Sequence, residues 1–176
     1  MKNHEFSIIA SGLDPHAEDF ESRFYEAGCD DAGIGFRRGL IIIDFDRESE
    51  SIWNALESAI KDVTRAGATV ESIEPDILVS LSEMANRAGM SRAAMSLYAN
   101  GQRQQDFPTP VAKVISDSPL WDWADVASWL YGHDRVSYEA AQEAYAIKRI
   151  NEMLRTGEIN RFPDLDDNEP PLLAAM

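Results

Sequence analysis

The order of strand-like and helix-like stretches over residues 5–74 leaves few folds open to this part of the chain. Apolar and polar residues alternate at residues 6–11, which predicts a strand. Two further alternating or apolar runs, 32–36 and 40–45, flank the turn Arg37-Arg38-Gly39 and predict a hairpin. Residues 68–73, rich in β-branched side chains, predict the last strand.

Two helices are predicted between these strands. Asp14-Pro15 offers a cap and a first-turn proline for the first helix, which Gly28 ends. Ser49 or Ser51 caps the second helix, which ends at Gly67. The apolar faces comprise Phe20, Phe24 and Ala27 in the first helix and Ile52, Leu56, Ile60 and Val63 in the second.

The resulting order, β-α-β-β-α-β, is that of the ferredoxin-like fold, and we assign it to a domain spanning residues 1–76. Leu40 and Ile42 are apolar on the face of the sheet that the helices would leave open. We therefore expect a sister subunit, a partner protein or ligand, or the rest of the chain to cover that face.

Residues 78–101 have the pattern of two short helices joined by a tight turn. Ser82 can cap the first helix, Gly89 can end it in a left-handed conformation, and Ser91 can cap the second. The side chains predicted to be buried between the helices are Met84, Ala88, Met90, Met95 and Tyr98, with Ala85 at the crossing. The pattern is typical of a helix-turn-helix.

Residues 107–111, Phe-Pro-Thr-Pro-Val, and residues 123–130, Trp-Ala-Asp-Val-Ala-Ser-Trp-Leu, follow this pair of helices. With the helix-turn-helix they resemble the winged helix-turn-helix of the MerR superfamily, in particular its small excisionase and AlpA-like regulators. The resemblance covers residues 78–131 and departs from the family in having few Lys and Arg residues. It implies an α+β protein with a DNA-binding domain over residues 77–135.

The resemblance implies a sequence-specific, double-stranded-DNA-binding transcriptional regulator that acts on its own or a neighbouring operon. Arg92 would then contact guanine, and Asn100 or Ser96 would contact adenine or phosphate. Wing residues would hold the flanking backbone. The full set of expected DNA-binding residues is Ser91, Arg92, Ala93, Ser96, Leu97, Asn100, Arg103, Lys113 and Ser116.

The charge distribution agrees with DNA binding only in the middle of the chain. The net charge is -15, and residues 1–76 have 7 basic and 17 acidic side chains. Residues 77–115 have 4 basic and 2 acidic ones, whereas residues 116–176 have 5 and 12. The acidic flanks support an alternative: an antitoxin-like or immunity-type protein that neutralises a basic toxin or effector.

The C-terminal part of the sequence predicts a long helix within residues 136–160, followed by an acidic tail, 161–176, expected to be disordered. The helix has an apolar stripe that includes Asn151, which could set the register of a helix pair. We expect a homodimer, held by this helix, by the open face of the sheet, or by both.

The sequence shows no catalytic constellation, and we expect neither an enzyme nor a bound cofactor. The single cysteine, Cys29, excludes an intrachain disulfide, and His4, His16 and His133 are isolated, so no metal site is expected. No secretion signal or membrane anchor is visible, which predicts a cytoplasmic protein.

Overall fold

A computed structural model describes residues 1–159 of the chain. The protein is a mixed α+β protein, and its contacts divide it into two units. The first unit comprises Met1–Pro75 together with the chain from Arg149, and the second comprises Asp76–Lys148. In residues 1–159, no helix is both long enough and apolar enough to cross a membrane.

The first unit contains the strands and helices in the predicted order. They are β1 (Lys2–Ser11), α1 (Phe20–Ala27), β2 (Ala32–Arg37), β3 (Leu40–Ser49), α2 (Ile52–Arg65) and β4 (Thr69–Glu74). The second unit contains β5 (Leu78–Val79), α3 (Leu81–Arg87), α4 (Arg92–Ala99), β6 (Trp121–Asp122) and α5 (Trp123–Tyr131). The last helix, α6 (Tyr138–Thr156), begins in the second unit and ends in the first.

The first unit is built on a four-stranded antiparallel sheet with the strand order β2-β3-β1-β4. Its register places Phe6 opposite Phe45 and Ile8 opposite both Ile43 and Ile73, and all five side chains are buried. The buried side of α2 supplies Ile52, Ala55, Leu56, Ala59, Ile60 and Val63 to the core of this unit. On the opposite face of the sheet, Ile9 and Ile42 are half-buried and Leu40 is 38% exposed.

The start of α1 differs from the prediction. The helix begins at Phe20, because Asp14 accepts a hydrogen bond from the His16 amide (2.9 Å) and forms a local turn instead of a helix cap. The predicted end of the helix is confirmed, since Gly28 has the left-handed φ of 106°. In α2, the cap is Ser51, whose Oγ accepts from the Asn54 amide (3.2 Å).

Asn151 closes the sheet at its β4 edge. Its side-chain oxygen accepts from the Ile73 amide (2.8 Å), and its Nδ2 donates to the Ile73 carbonyl (2.9 Å). The amide thus replaces a neighbouring strand at that position. The expectation that Asn151 sets the register of a helix pair is wrong, because both ends of its amide are bound to this edge.

The predicted tail 161–176 lies outside the described residues.

Arg47 is a buried charge at a core position of β3. Its Nε and Nη2 donate to the two carboxylate oxygens of Asp31 (2.7 and 2.8 Å), and Nη1 donates to Asp62 (2.9 Å). The remaining bonds go to Ser58 Oγ (3.0 Å) and the Gly28 carbonyl (2.9 Å). All five guanidinium N–H groups therefore have an acceptor. We call these five residues the Arg47 network.

Burial and the charges of the Arg47 network shift the pKa values of Arg47 itself and of Cys29. Burial alone would lower the pKa of Arg47, but the hydrogen bonds to Asp31 and Asp62 outweigh it and raise that pKa. For the buried Cys29 thiol, burial and then the charge of Asp62 raise the pKa to about 11. Cys29 is consequently a thiol at neutral pH, with low nucleophilicity.

We predict that Arg47→Met lowers the free energy of unfolding by about 3 to 5 kcal/mol, because Asp31 and Asp62 lose the cation that offsets their burial. The matched control is Arg23→Met, which removes an exposed ion pair with Asp19 and costs about 1 kcal/mol or less. Urea unfolding of the full-length variants measures both values. Equal losses in the two variants would contradict the role assigned to Arg47.

Candidate nucleic-acid interface

Helix α3 is fixed at its start by a reciprocal pair of hydrogen bonds. Ser80 Oγ accepts from the Glu83 amide (3.3 Å), and Glu83 Oε2 accepts from the Ser80 amide (2.6 Å). The cap is therefore Ser80, and the prediction of Ser82 was wrong by two residues. Ser82 lies in the first turn, where its Oγ accepts from Arg92 Nε (3.1 Å).

The turn between α3 and α4 depends on Gly89. Its φ of 62° is left-handed, and the following amide, that of Met90, donates to the Ala85 carbonyl (2.8 Å). Apart from Gly89 itself and its two chain neighbours, no atom lies within 4 Å of the position a Cβ would take, so the need for glycine comes from the backbone conformation. Ser91 then caps α4 as predicted, accepting from the Ala94 amide (3.1 Å).

The inner faces of α3 and α4 are apolar and are buried in a common core. Met84, Ala85, Met95 and Tyr98 are buried, as predicted. They belong to one core with Val79, Trp121, Val126 and Leu130. Ala88 and Met90, which were predicted to be buried, are only partly buried against this core.

The outer face of α4 displays most of the residues predicted to bind DNA. Arg92, Ala93 and Asn100 are exposed, and Leu97 is 40% exposed. Ser96 is half-buried, and its Oγ accepts from Asn100 Nδ2 (3.2 Å). The helix therefore offers a guanidinium, an amide, a hydroxyl and two apolar side chains on one side.

Arg103 follows α4 and lies against an aromatic cluster. Its guanidinium carbon is 5.4 Å from the centre of the buried Tyr98 ring. Tyr98 in turn packs on Phe107 and Trp129, at ring-centre distances of 6.4 and 5.3 Å. Arg103 is thus exposed, yet its position is coupled to the core of the second unit.

The predicted wing is less regular than expected. Its strand pairing is reduced to a single bridge between Ala112 and Leu120. Lys113 lies in the intervening loop with a left-handed φ of 49°, and Ser116 Oγ donates to the Lys113 carbonyl (2.8 Å). Both residues are exposed, as a DNA contact requires.

Two apolar residues at the tip of this loop were missed. Val114 and Ile115 are 58% and 104% exposed. No local pattern in the sequence marks these two apolar residues as exposed. Their exposure places an apolar contact surface beside Lys113 and Ser116.

The start of helix α5 is fixed by Asp122. Asp122 Oδ1 accepts from the Ala124 and Asp125 amides (2.9 and 3.3 Å), and Oδ2 pairs with Lys148 Nζ (2.9 Å). Burial would lower the pKa of Lys148, but its bonds to Asp122 and Asp125 outweigh this effect and raise it.

The chain matches no protein-family model, no curated protein and no solved structure. Within residues 1–159, no group of three or more His, Cys, Asp or Glu side chains is placed to hold a metal ion. The geometry of α3, α4 and the loop that follows them is therefore the basis for inferring a function.

We predict that the cap of α3 weakens in acid. Hydrogen bonds from the Ser80 amide and hydroxyl lower the pKa of Glu83 below its ordinary value of 4.5. A carboxyl with a lowered pKa in the folded state stabilises that state above pH 4.5 and loses this effect as pH falls through the lowered pKa. Glu83→Gln should therefore be less stable than wild type near neutral pH and equally stable in strong acid.

Urea unfolding at both pH values measures this difference. The control is Ser91→Ala, which removes the hydroxyl cap of α4, so its deficit should be the same at both pH values. A deficit of Glu83→Gln that does not change with pH would contradict the assignment.

Proposed function

We propose that the second unit binds duplex DNA in a sequence-specific manner and that the protein regulates transcription of its own or a neighbouring operon. The observation that supports this proposal best is the division of α4 into two faces. Met95 and Tyr98 are buried, whereas Arg92, Ala93, Leu97 and Asn100 are exposed. This division leaves one helix free to enter the major groove.

In this proposal each exposed side chain of α4 has a role that its chemistry permits. Arg92 donates to O6 and N7 of guanine, and Asn100 pairs with N6 and N7 of adenine. Ala93 and Leu97 contact thymine methyl groups. Ser91 at the start of the helix and Ser96 in the middle of this row donate to phosphate or base.

The residues after α4 hold the phosphate backbone in the same proposal. Arg103 is oriented by Tyr98, and Lys113 is held in its loop by Ser116. With Arg92 they supply three exposed cations, so the affinity of one module should depend only modestly on salt. Two modules on one operator would raise the affinity, and for this reason we propose a homodimer.

The fold assignments of the two units are part of the same proposal. The strand order β2-β3-β1-β4, with α1 and α2 between the strands, supports a ferredoxin-like arrangement of the first unit. The caps of α3 and α4, the turn at Gly89 and the bridge between Ala112 and Leu120 support a MerR-like winged helix-turn-helix. We propose a cytoplasmic, non-enzymatic regulator with no bound cofactor.

The excess of acidic side chains in the first 76 residues supports the alternative of an antitoxin-like protein. In that case an acidic surface of the first unit would bind a basic toxin or effector, and DNA binding would serve autoregulation. Binding of a basic protein without any preference for a DNA sequence would favour this alternative.

We predict that Arg92→Ala and Asn100→Ala each reduce the preference for the operator over random duplex, by about 1 to 3 kcal/mol per base contact. Fluorescence anisotropy with the duplex upstream of the native gene measures the preference. Circular dichroism should show an intact fold, because both side chains are exposed. The matched control is Arg23→Ala on α1, which should retain the preference. A loss of folding would contradict the assignment of these residues to the surface.

Lys113→Ala should act differently from the two α4 variants. A lost phosphate contact weakens binding to all sequences alike and reduces the slope of log K against log salt by about 1. Titrations at several salt concentrations, with operator and random duplex, measure this slope. A change in sequence preference without a change in slope would place Lys113 at a base and contradict its proposed role.

A further inference from the structure

The two edges of the four-stranded sheet differ in whether their outward backbone groups are hydrogen-bonded. At the β4 edge, the Asn151 amide occupies both backbone groups of Ile73. At the other edge lies β2, with the sequence Ala-Gly-Ile-Gly-Phe-Arg. An exposed edge strand is a template for a further strand unless something covers it or blocks it.

The hydrogen-bonding pattern identifies which backbone groups of β2 face outward. The Asp46 amide donates to the Asp31 carbonyl (3.2 Å), and the register places Gly33 opposite Asp44. Because the bonded pairs alternate in an antiparallel ladder, Gly33 and Gly35 bond to β3, whereas Ile34 and Phe36 direct their N–H and C=O groups away from it. In residues 1–159, these outward groups have no hydrogen-bond partner.

A groove runs beside this edge, between α1 and β2. Its volume is about 460 Å³, and its lining includes Glu21, Tyr25, Glu26, Asp30 and Ile34. Tyr25 is 69% exposed, and none of the lining residues is Lys or Arg. On this side of the sheet, an added strand would therefore meet carboxylates and an aromatic ring.

On the other face of the sheet, the β2 edge is open, because its residues there, Gly33 and Gly35, have no side chains. Nothing lies within 4 Å of a Cβ at Gly33, and at Gly35 the nearest atom is the Ile42 carbonyl oxygen, at 3.9 Å. The neighbouring side chains on that face are Ile42, which is aliphatic, half-buried and opposite Gly35, and Asp44, which is exposed and opposite Gly33. Small or aliphatic side chains of an added strand fit this surface.

We propose that the outer edge of β2 binds an extended, basic segment of another protein, which adds a fifth strand to the sheet. Successive side chains of a strand point to opposite faces. Lys or Arg at every second position would therefore reach the acidic groove, and the aliphatic residues between them would cover Gly33 and Gly35. The main-chain bonds provide affinity, and the alternation of the partner provides specificity.

The charge of the first unit favours this occupant over a second copy of the chain. Residues 1–76 have 17 acidic and 7 basic side chains, so a second copy bound at this edge would bring two acidic surfaces together. A basic segment is attracted to the same surface. The proposal does not depend on DNA binding, because every residue involved lies in the first unit.

The test uses the full-length protein and a fluorescent, blocked peptide of alternating Lys and Val residues, with the Glu-Val peptide as its control. We expect only the Lys-Val peptide to bind in an anisotropy titration. Hydrogen exchange should then slow at the Ile34 and Phe36 amides, while the Gly33 and Gly35 amides, already bonded to β3, change little. Binding without protection at Ile34 and Phe36 would overturn the proposal.

Two kinds of variant distinguish the contribution of the β2 backbone to peptide binding from the contribution of the acidic groove. Ile34→Pro removes an outward N–H without removing a bond to β3, and it should abolish binding. Glu21→Gln and Glu26→Gln should each weaken binding by about two- to fivefold, whereas Glu50→Gln, outside the groove, should not. Unchanged binding in the groove variants would overturn the proposal even if Ile34→Pro fails to fold.

Analytical ultracentrifugation without peptide tests the competing occupant. A monomer–dimer equilibrium abolished by Ile34→Pro, together with protection of the Ile34 and Phe36 amides at high protein concentration, would assign this edge to a second copy and overturn the proposal. Loss of DNA binding in Arg92→Ala would have no bearing on either result.

Discussion

The hydrogen bonds of Arg47 hold together three segments of the first unit: β3, the connection between α1 and β2, and α2. They join β3 to the end of α1 at Gly28, to Asp31 before β2, and to Ser58 and Asp62 on α2. A buried charge is expensive unless its partners are well placed, so this arrangement tolerates little displacement. The beginning of β2, and with it the acidic groove beside α1, is positioned by these bonds.

The second unit relies on a different kind of constraint. Short helices such as α3 and α4 are marginal by themselves, and here their ends are fixed by Ser80 and Ser91 and their inner faces by packing. The ring of Tyr98 connects this core to Arg103. Packing therefore determines which side of α4 remains free, and that side is the proposed DNA-binding surface.

Local signals in the sequence predicted most of this architecture, and the errors have specific physical causes. Gly28 and Gly89 were predicted correctly because a left-handed residue is a local requirement. Asp14 was misjudged because a turn competes with a helix cap, and Ser82 because the Ser80–Glu83 pair was overlooked. The contact of Asn151 with Ile73, 78 residues away, has no local signal. Arg47 does have a local signal in the sequence. It is a charged residue that falls in line with Ile43 and Phe45 on the core face of β3.

We propose that the exposed side of α4 recognises a DNA sequence although the chain has a net charge of -15. Selection from a randomised duplex library with the full-length protein is the sharpest test of this recognition, because no operator need be known beforehand. We expect a single motif to be enriched and to bind at least about a thousandfold more tightly than random duplex. Recovered sequences without a common motif, bound no better than the starting library, would show that α4 does not read a DNA sequence.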